Sequence, residues 1–223
     1  LFYLGYYIIN LPINNIYIKG NSFVSDDEIL SLVDLDYESS FLLLNSRSLV
    51  KKIKNNKYVK DVKVKKKIGN KVIIDVYEYK VLCIYQNNKV ILENNQILDN
   101  IYDLSDIPLF INDINDDKII FNFSKKFSNI DSNILRQISQ IEYSPVNVDK
   151  ERFILYMDDG NIVYITLTKI YKLNKYNEIV EKMDGNKGII YLDSGNYIEL
   201  VEDNQVIEAD DSAGVDYNND TGN

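Results

Sequence analysis

The chain has 223 residues, a formal net charge of −9 and no histidine. Because imidazole is absent, these residues cannot form a Ser-His-Asp triad, a Cys-His nucleophile pair or a histidine-bearing metal site. The single cysteine excludes an intrachain disulfide and a cluster of thiolate ligands.

Residues 1–12, LFYLGYYIINLP, are almost wholly apolar and rich in tyrosine. This run is too short to cross a bilayer, which needs about 20 helical residues. It is either the outer end of a transmembrane helix, with its tyrosines in the interfacial aromatic belt, or a buried element of the soluble fold. The sharp end at Pro12 favours the membrane interpretation.

Residues 13–80 predict a small domain with the order strand, helix, helix, strand, strand. Ser25, with Glu28 three positions later, has capping-box spacing and predicts the start of the first helix. Asn45 or Ser46 begins the second helix. Two helices are then expected to cover one face of a three-stranded sheet. The expected strands are residues 16–18, 58–68 and 71–79.

Residues 81–200 predict a mainly antiparallel β domain with two helices, so that the whole chain is α+β. Apolar residues have helical spacing at residues 128–141 and 169–183. Asp158-Asp159-Gly160-Asn161 lies between two apolar runs and predicts a hairpin turn. The expected strands are residues 81–85, 90–92, 96–98, 118–123, 153–157, 162–167, 188–192 and 197–200. Residues 107–111 are an apolar stretch that Pro108 interrupts.

Charge is unevenly distributed along the chain. Residues 51–71 carry ten lysines and one acid, Asp61. A basic stretch can bind nucleic acid or anionic lipid, but lysines that alternate with Val62 and Val64 are typical of the solvated face of a half-buried strand. The overall acidity argues against a nucleic-acid partner. Residues 199–223 contain eight acids and no base, and residues 201–223 are predicted to be a disordered acidic tail.

No constellation of residues points to catalysis. The adjacent acids, such as Asp26-Asp27 and Asp158-Asp159, lie at a predicted helix start and at turns, where carboxylates serve as caps. Cys83 lies in an apolar run and is expected to be buried. We therefore expect no catalytic residue, metal, cofactor or small-molecule substrate. What remains is a surface for proteins, because a sheet edge can accept another strand through main-chain hydrogen bonds alone.

Particular segments resemble a known family. Residues 16–21 (IYIKGN), followed by Val24-Ser25 and Glu28-Ile29, resemble the opening of an FtsQ-type POTRA domain. Residues 58–65 (YVKDVKVK) and 70–78 (NKVIIDVYE) resemble its closing hairpin. The sequence departs from the family pattern because Gly69-Asn70 replaces Pro-Asn and lysine replaces arginine.

The following unit resembles the β domain of the FtsQ/DivIB family. Asp158-Asp159-Gly160 matches its hairpin, Lys172-Leu173 its helix and residues 188–192 (GIIYL) its terminal strand. The resemblance implies a non-enzymatic cell-division protein with a cytoplasmic tail, one membrane helix and an extracytoplasmic POTRA domain and β domain, acting at the division septum. It also implies binding to the bitopic coiled-coil proteins FtsL and FtsB, the latter called DivIC in Gram-positive bacteria.

In this family the C-terminal strands of the β domain receive an added strand from FtsB/DivIC. The matching partner-binding positions here are Ile190, Tyr191, Leu192, Asp193, Tyr197 and Ile198. Two alternatives stay open from the sequence: a POTRA protein of secretion or outer-membrane assembly, and a surface protein or enzyme of unknown chemistry. The first would carry repeated POTRA units and a long β-barrel, and the second a concave site with convergent polar groups.

Overall fold

The computed structural model describes residues 10–104 and 106–201. The chain divides into two compact units, Leu1–Tyr79 and Lys80–Asn223. None of the helices within the described residues is long and apolar enough to cross a membrane. Residues 1–9 of the expected membrane segment and residues 202–223 of the expected tail lie outside the described residues.

The first unit has the predicted order of strand, helix, helix, strand, strand. In its sheet, the third strand lies in the centre, parallel to the first strand and antiparallel to the second. The helices bury one apolar face each against this sheet. The elements are β1 (Asn15–Lys19), α1 (Asp26–Val33), α2 (Ser46–Ile53), β2 (Val59–Lys67) and β3 (Lys71–Glu78). The core residues are Ile29, Val33, Leu49, Ile53, Val62, Val72, Ile74 and Val76.

Both helices begin where polar side chains cap their free N–H groups. The Ser25 hydroxyl accepts a hydrogen bond from the Glu28 N–H at 3.1 Å, which confirms the predicted cap. Asn45 caps α2 by accepting from the backbone N–H groups of Arg47 and Ser48. The Glu28 carboxylate accepts from the Asn56 side-chain amide at 2.8 Å and so ties α1 to the segment before β2.

The Glu78 carboxylate at the end of β3 organises the loop that leads into α1. It accepts hydrogen bonds of 2.9–3.2 Å from the backbone N–H groups of Ser22, Phe23 and Val24. Hydrogen bonds to an ionised acceptor are about twice as strong as neutral ones. One side chain therefore fixes three consecutive peptide groups 54–56 residues earlier in the chain.

Glu78→Ala should therefore destabilise the first unit by about 2–4 kcal/mol, because the exposed N–H of Ser22 and the partly buried N–H groups of Phe23 and Val24 lose a charged acceptor. Urea unfolding followed by circular dichroism would measure this loss. Glu38→Ala, which removes an exposed carboxylate from a loop of the same unit, is the matched control and should change little. A loss equal to that of the control would contradict the role given to Glu78.

The described part of the second unit is built on nine strands, which are β4 (Val81–Tyr85), β5 (Lys89–Leu92), β6 (Ile97–Asp99), β7 (Leu109–Phe110), β8 (Ile138–Tyr143), β9 (Arg152–Met157), β10 (Ile162–Thr166), β11 (Lys187–Tyr191) and β12 (Tyr197–Val201). They form one sheet with the order β12-β11-β10-β9-β8-β7-β4-β5-β6. Three neighbouring pairs are parallel and the others antiparallel, in line with the mainly antiparallel domain that was predicted. The helices are α3 (Asp117–Phe127), α4 (Ser132–Leu135), a 3₁₀ helix (Leu167–Lys175) and α5 (Tyr176–Glu181).

Three predictions of secondary structure in this unit were wrong. Residues 118–123, predicted as a strand, belong to helix α3, which Asp116 caps by accepting from the Lys118 N–H. Residues 128–141, predicted as one helix, form the short helix α4 and then strand β8. Residues 169–183, predicted as a single helix, divide between the 3₁₀ helix and α5. The domain therefore has more than the two helices expected.

The core of the second unit lies on the face of the sheet that α3 and the 3₁₀ helix cover. Phe123 and Phe127 of α3 pack against Phe153 of β9, with ring centroids 5.5 and 6.1 Å apart. Cys83 is fully buried, as predicted, and burial raises the pKa of its thiol, so that it stays protonated and unreactive. This core supports the strands at the far end of the sheet, where the candidate site lies.

Candidate partner-binding edge

β12 is the last strand at one end of the sheet. Within the part of the chain that the structure describes, it pairs only with β11, in an antiparallel register that places Tyr197 opposite Tyr191 and Glu199 opposite Ile189. β11 has strands on both sides, because it also pairs with β10 in parallel. A strand from another chain can therefore add directly to β12, whereas both sides of β11 are already occupied.

The hydrogen bonds between β11 and its neighbour β10 show which peptide groups of β11 point toward β10 and which point toward β12. Leu192 donates its N–H to the Tyr164 carbonyl at 2.8 Å, and Gly188 donates to the Asn161 side chain just before β10. Because peptide groups alternate in direction along a strand, those of Ile189 and Tyr191 face β12.

The antiparallel pairing of β12 with β11 determines which peptide groups of β12 point toward β11 and which point away. The peptide groups of Tyr197 and Glu199 bond to β11, because these residues lie opposite Tyr191 and Ile189. Those of Ile198 and Leu200 consequently point away from the sheet. They are the donors and acceptors that an added strand would use.

The side chains of β12 are mainly apolar and are unusually exposed for a strand. Ile198 and Leu200 are 38% and 55% exposed and lie on the same face as Ile190, which belongs to the main core. Tyr197 is 52% exposed on the opposite face. Long exposed apolar edges promote association with other chains, and proteins usually block them with charges or proline. Here the only ionisable side chain on β12 besides Tyr197 is Glu199.

A stack of aromatic rings holds the start of β12 on the sheet. The rings of Tyr164 and Tyr191 lie 5.1 Å apart, and those of Tyr191 and Tyr197 lie 4.4 Å apart, nearly parallel in both cases. The Arg152 guanidinium lies 4.5 Å from the Tyr164 ring and completes the stack through a cation–π contact. Burial, together with the nearby Glu199 carboxylate, raises the pKa of Tyr191 to about 12. Tyr191 therefore remains neutral at physiological pH.

A buried ion pair anchors the turn between β11 and β12. Arg152 donates to the Asp193 carboxylate at 2.9 Å, and each of these side chains is only 11% exposed. Arg152 also donates to Ser144, while Asp193 accepts from the N–H and hydroxyl of Ser194. Lys169 of the 3₁₀ helix donates to the Asp193 carbonyl. The turn is thus fixed to several parts of the sheet and its covering helices.

A second buried network fixes the start of β11. The Asn161 side chain, which is buried, accepts from the Gly188 N–H at 2.8 Å and donates to the Tyr176 hydroxyl at 3.1 Å. Tyr176 in turn donates to the Asp159 carboxylate at 2.8 Å. Burial raises the pKa of Tyr176, which keeps its hydroxyl available as a donor. The predicted hairpin turn therefore also positions β11.

Gly188 allows β12 to approach β11 closely. A Cβ atom at this position would lie 2.3 Å from the Glu199 carbonyl oxygen, which is closer than any side-chain carbon can come. The main chain of β12 occupies that space, so the edge strand depends on this glycine.

The structure gathers the six predicted partner-binding residues at one hairpin, but only two of them lie on the strand with a free side. Tyr197 and Ile198 are exposed on β12. Ile190 and Leu192 are buried, Tyr191 is half-buried in the aromatic stack, and Asp193 is held by Arg152. Partner binding at these positions stays a prediction.

Sequence reasoning missed several residues that shape this edge. Leu200 was assigned to a strand but not to the partner-binding set, although it continues the alternation from Ile198. Arg152, Tyr164 and Asn161 act across the sheet, and no local pattern links them to residues 187–201. Among the described residues, no group of three or more acids and cysteines could hold a metal ion. The chemistry that the edge offers is therefore that of main-chain hydrogen bonds and apolar contact.

Comparisons with known proteins agree with this architecture. The profile of the POTRA domain, FtsQ-type, matches residues 11–79. The chain is 32% identical over 194 residues to the cell division protein DivIB of Bacillus subtilis (strain 168), covering 84% of this chain and 73% of that protein. DivIB of Geobacillus kaustophilus is 26% identical over 193 residues, covering 83% of this chain and 74% of the relative.

A solved structure is also similar to part of the chain. It is the major extracytoplasmic domain of the trans isomer of DivIB from Geobacillus stearothermophilus, with 24% identity and a TM-score of 0.40, covering 48% of this chain and 95% of that one. The sequence identity to the Bacillus subtilis protein over most of both chains, together with the POTRA match across the first unit, shows that the chain belongs to the DivIB family of cell division proteins.

Proposed function

We propose that this chain is a non-enzymatic scaffold of the bacterial division complex. It binds FtsL-like and FtsB/DivIC-like bitopic proteins during septum formation and accepts a strand from the latter at β12. Membership of the DivIB family supports the role in division. The observation that carries the binding mode is the one-sided pairing of β12 within the described residues, with its exposed apolar side chains.

The edge can supply a moderate, reversible affinity without any catalytic group. The outward peptide groups of Ile198 and Leu200 offer two donors and two acceptors. Each hydrogen bond contributes about 0.5–1.5 kcal/mol, and burial of apolar side chains adds about 25 cal/mol per Å². If both partners are attached to one membrane, the higher effective concentration increases occupancy further.

We also propose that the apolar run that begins the chain is the end of a single membrane helix, which stops before Leu11 because Leu11 and Pro12 already pair with Phe41 and Ser40 in the first unit, and that the two units lie outside the cytoplasm at the division septum. The apolar, tyrosine-rich composition of this run supports the membrane assignment. Tethering would then hold the edge strand near the membrane-anchored partners.

Ile198→Pro tests the binding mode, because proline removes the outward N–H of β12 while the hydrogen bonds to β11 remain. The matched control, Ile198→Ala, removes the side chain and keeps the N–H. We expect Ile198→Pro to weaken binding of a FtsB/DivIC-like partner about 10-fold or more relative to the control, since a partner carbonyl is left unpaired. Calorimetric titration with the extracytoplasmic segment of the partner measures the difference.

The urea-unfolding transitions of the two variants should agree, which would show that the sheet remains folded. Equal partner affinity of Ile198→Pro and Ile198→Ala would contradict strand addition at β12. A partner that binds neither variant nor the unaltered chain would contradict the choice of partner.

A further inference from the structure

One end of the first unit surrounds the point where the chain leaves its apolar N-terminal run. We call residues 11–14, 40–44 and 65–71 the entry end. Phe41 donates its N–H to the Leu11 carbonyl at 2.9 Å, and Pro12 forms an isolated β-bridge with Ser40. The last two residues of the apolar run are therefore fixed against the loop of residues 40–44.

The β2–β3 hairpin turn holds the same residues from another side. Asn14 donates its backbone N–H to the Asn70 carbonyl at 2.9 Å and its side-chain amide to the Gly69 carbonyl at 3.1 Å. The Asn70 side chain donates to the Pro12 carbonyl at 3.1 Å. The tip of the hairpin is thus held beside the point where residues 11–14 enter the fold.

The entry end carries large apolar side chains that are exposed to solvent. Ile68, at the tip of the hairpin, is 99% exposed. Leu43 and Leu42, in the adjoining loop, are 69% and 48% exposed. Lys66 links the two segments, because its ammonium group donates to the Leu42 carbonyl at 3.2 Å and lies 4.7 Å from the Phe41 ring. Exposed apolar groups concentrated at one place indicate an interaction surface.

The charged side chains of the entry end are all positive. Its three segments contain four lysines, at positions 65, 66, 67 and 71, and no acid. Lys65 pairs with Asp75 on the neighbouring strand. Lys67 and Lys71 flank the exposed Ile68 and form no ion pair within the described residues. The chain as a whole has a net charge of −9, so this cluster is a local exception.

We propose that the entry end docks on the surface of an anionic phospholipid bilayer. Ile68, Leu42 and Leu43 enter the interfacial layer, while Lys67 and Lys71 contact lipid phosphates. Apolar side chains among lysines match the layered chemistry of a bilayer surface, where headgroup charge lies above acyl chains. The inference rests on the proposed membrane anchoring of the apolar run that begins the chain, because that anchor would bring the entry end to the bilayer. Its consequence would be a fixed orientation of the first unit on the membrane.

Insertion can be followed with a single tryptophan, since these 223 residues contain none. Ile68→Trp in the 223-residue chain should show a blue-shifted emission on vesicles of phosphatidylcholine and phosphatidylglycerol, and quenching by brominated lipid. Val148→Trp is the matched control, because Val148 is 96% exposed in a loop of the second unit. Its emission should not change.

The contribution of the lysine charges to vesicle binding is tested by replacing Lys67 and Lys71 with uncharged glutamine, while the exposed apolar side chains are kept. Lys67→Gln/Lys71→Gln should weaken binding to the same vesicles about 30-fold at low salt, because each lysine near an anionic surface contributes roughly fivefold. Lys125→Gln/Lys126→Gln removes the same charge from an exposed helix end in the second unit and should have little effect. The difference should shrink as salt screens the lysines.

The possible results distinguish a failure of the docking of the entry end from a failure of the proposed membrane anchoring. A chain that does not bind these vesicles would overturn both the anchoring and the docking. A chain that binds vesicles while Ile68→Trp emission stays unchanged would overturn the docking alone. An Ile68→Trp emission that shifts only when a division protein is added would replace lipid by protein as the occupant, and so would also overturn it.

Discussion

Asp193→Ala should lower the free energy of unfolding of the second unit by about 3–5 kcal/mol, because it leaves the buried Arg152 guanidinium without a counter-charge. Each side chain of this pair is only 11% exposed, so water cannot replace the lost carboxylate well. Arg152 retains its bonds to Ser144 and its position over Tyr164, but neither neutralises its charge. The turn before β12 should loosen as a result, and partner affinity should fall with it.

Urea unfolding followed by circular dichroism measures this loss, and Glu78→Ala identifies the transition of the first unit. The double variant Arg152→Met/Asp193→Leu provides the control, because apolar replacement of both members of a buried pair is often close to neutral. It should recover most of the stability lost in Asp193→Ala. If single and double variants are equally destabilised, the loss comes from packing or from the Ser194 bonds and not from the unpaired charge.

Gly188→Ala should detach β12 while leaving most of the second unit folded. The added methyl group would lie 2.3 Å from the Glu199 carbonyl oxygen and 3.3 Å from the Leu200 Cα, and main-chain atoms cannot turn aside as a flexible side chain can. The two strands must separate and the ladder between them must weaken. We expect partner affinity to fall at least about 10-fold, since the outward peptide groups of β12 are no longer held in place.

Hydrogen exchange at the amides of Tyr197 and Glu199, together with partner titration, measures the detachment. Gly185→Ala is the matched control, because it adds the same methyl group just before β11 where no atom lies within 4 Å. Its positive φ makes that change cost about 1 kcal/mol in backbone strain, without displacing β12. Unchanged protection of β12 amides in Gly188→Ala would show that the strand can move aside at little cost.

Polar capping residues predicted the helix starts of the first unit correctly. Apolar runs gave the wrong secondary structure for parts of the second unit. Ser25 sets a helix start through its own hydrogen bond, so its role can be seen in the sequence. The run KIIFNF at residues 118–123 is compatible with both a buried strand and a buried helix, because its apolar residues are too dense to show a period. Asp116 as a cap and Lys125-Lys126 in the last turn were the signals that favoured a helix.

The candidate site was located by resemblance, whereas its geometry depends on contacts that are distant in sequence. Tyr191 and Tyr197 are close in the chain, but Tyr164 and Arg152 reach them only because β9, β10 and β11 are neighbours. The parallel pairing of β10 with β11 also decides which peptide groups of β12 face outward. Neither the strand order nor this alternation can be derived from the local pattern of residues 187–201.

The alternation along β12 also sets a rule for any sequence that could dock there. On the face of Ile198 and Leu200, which continues the main core, an incoming strand needs aliphatic or aromatic residues at every second position. On the face of Tyr197 and Glu199, the intervening positions suit an aromatic ring beside the tyrosine and a lysine or arginine beside the carboxylate. Candidate docking segments can therefore be ranked by this two-residue period before any complex is assembled.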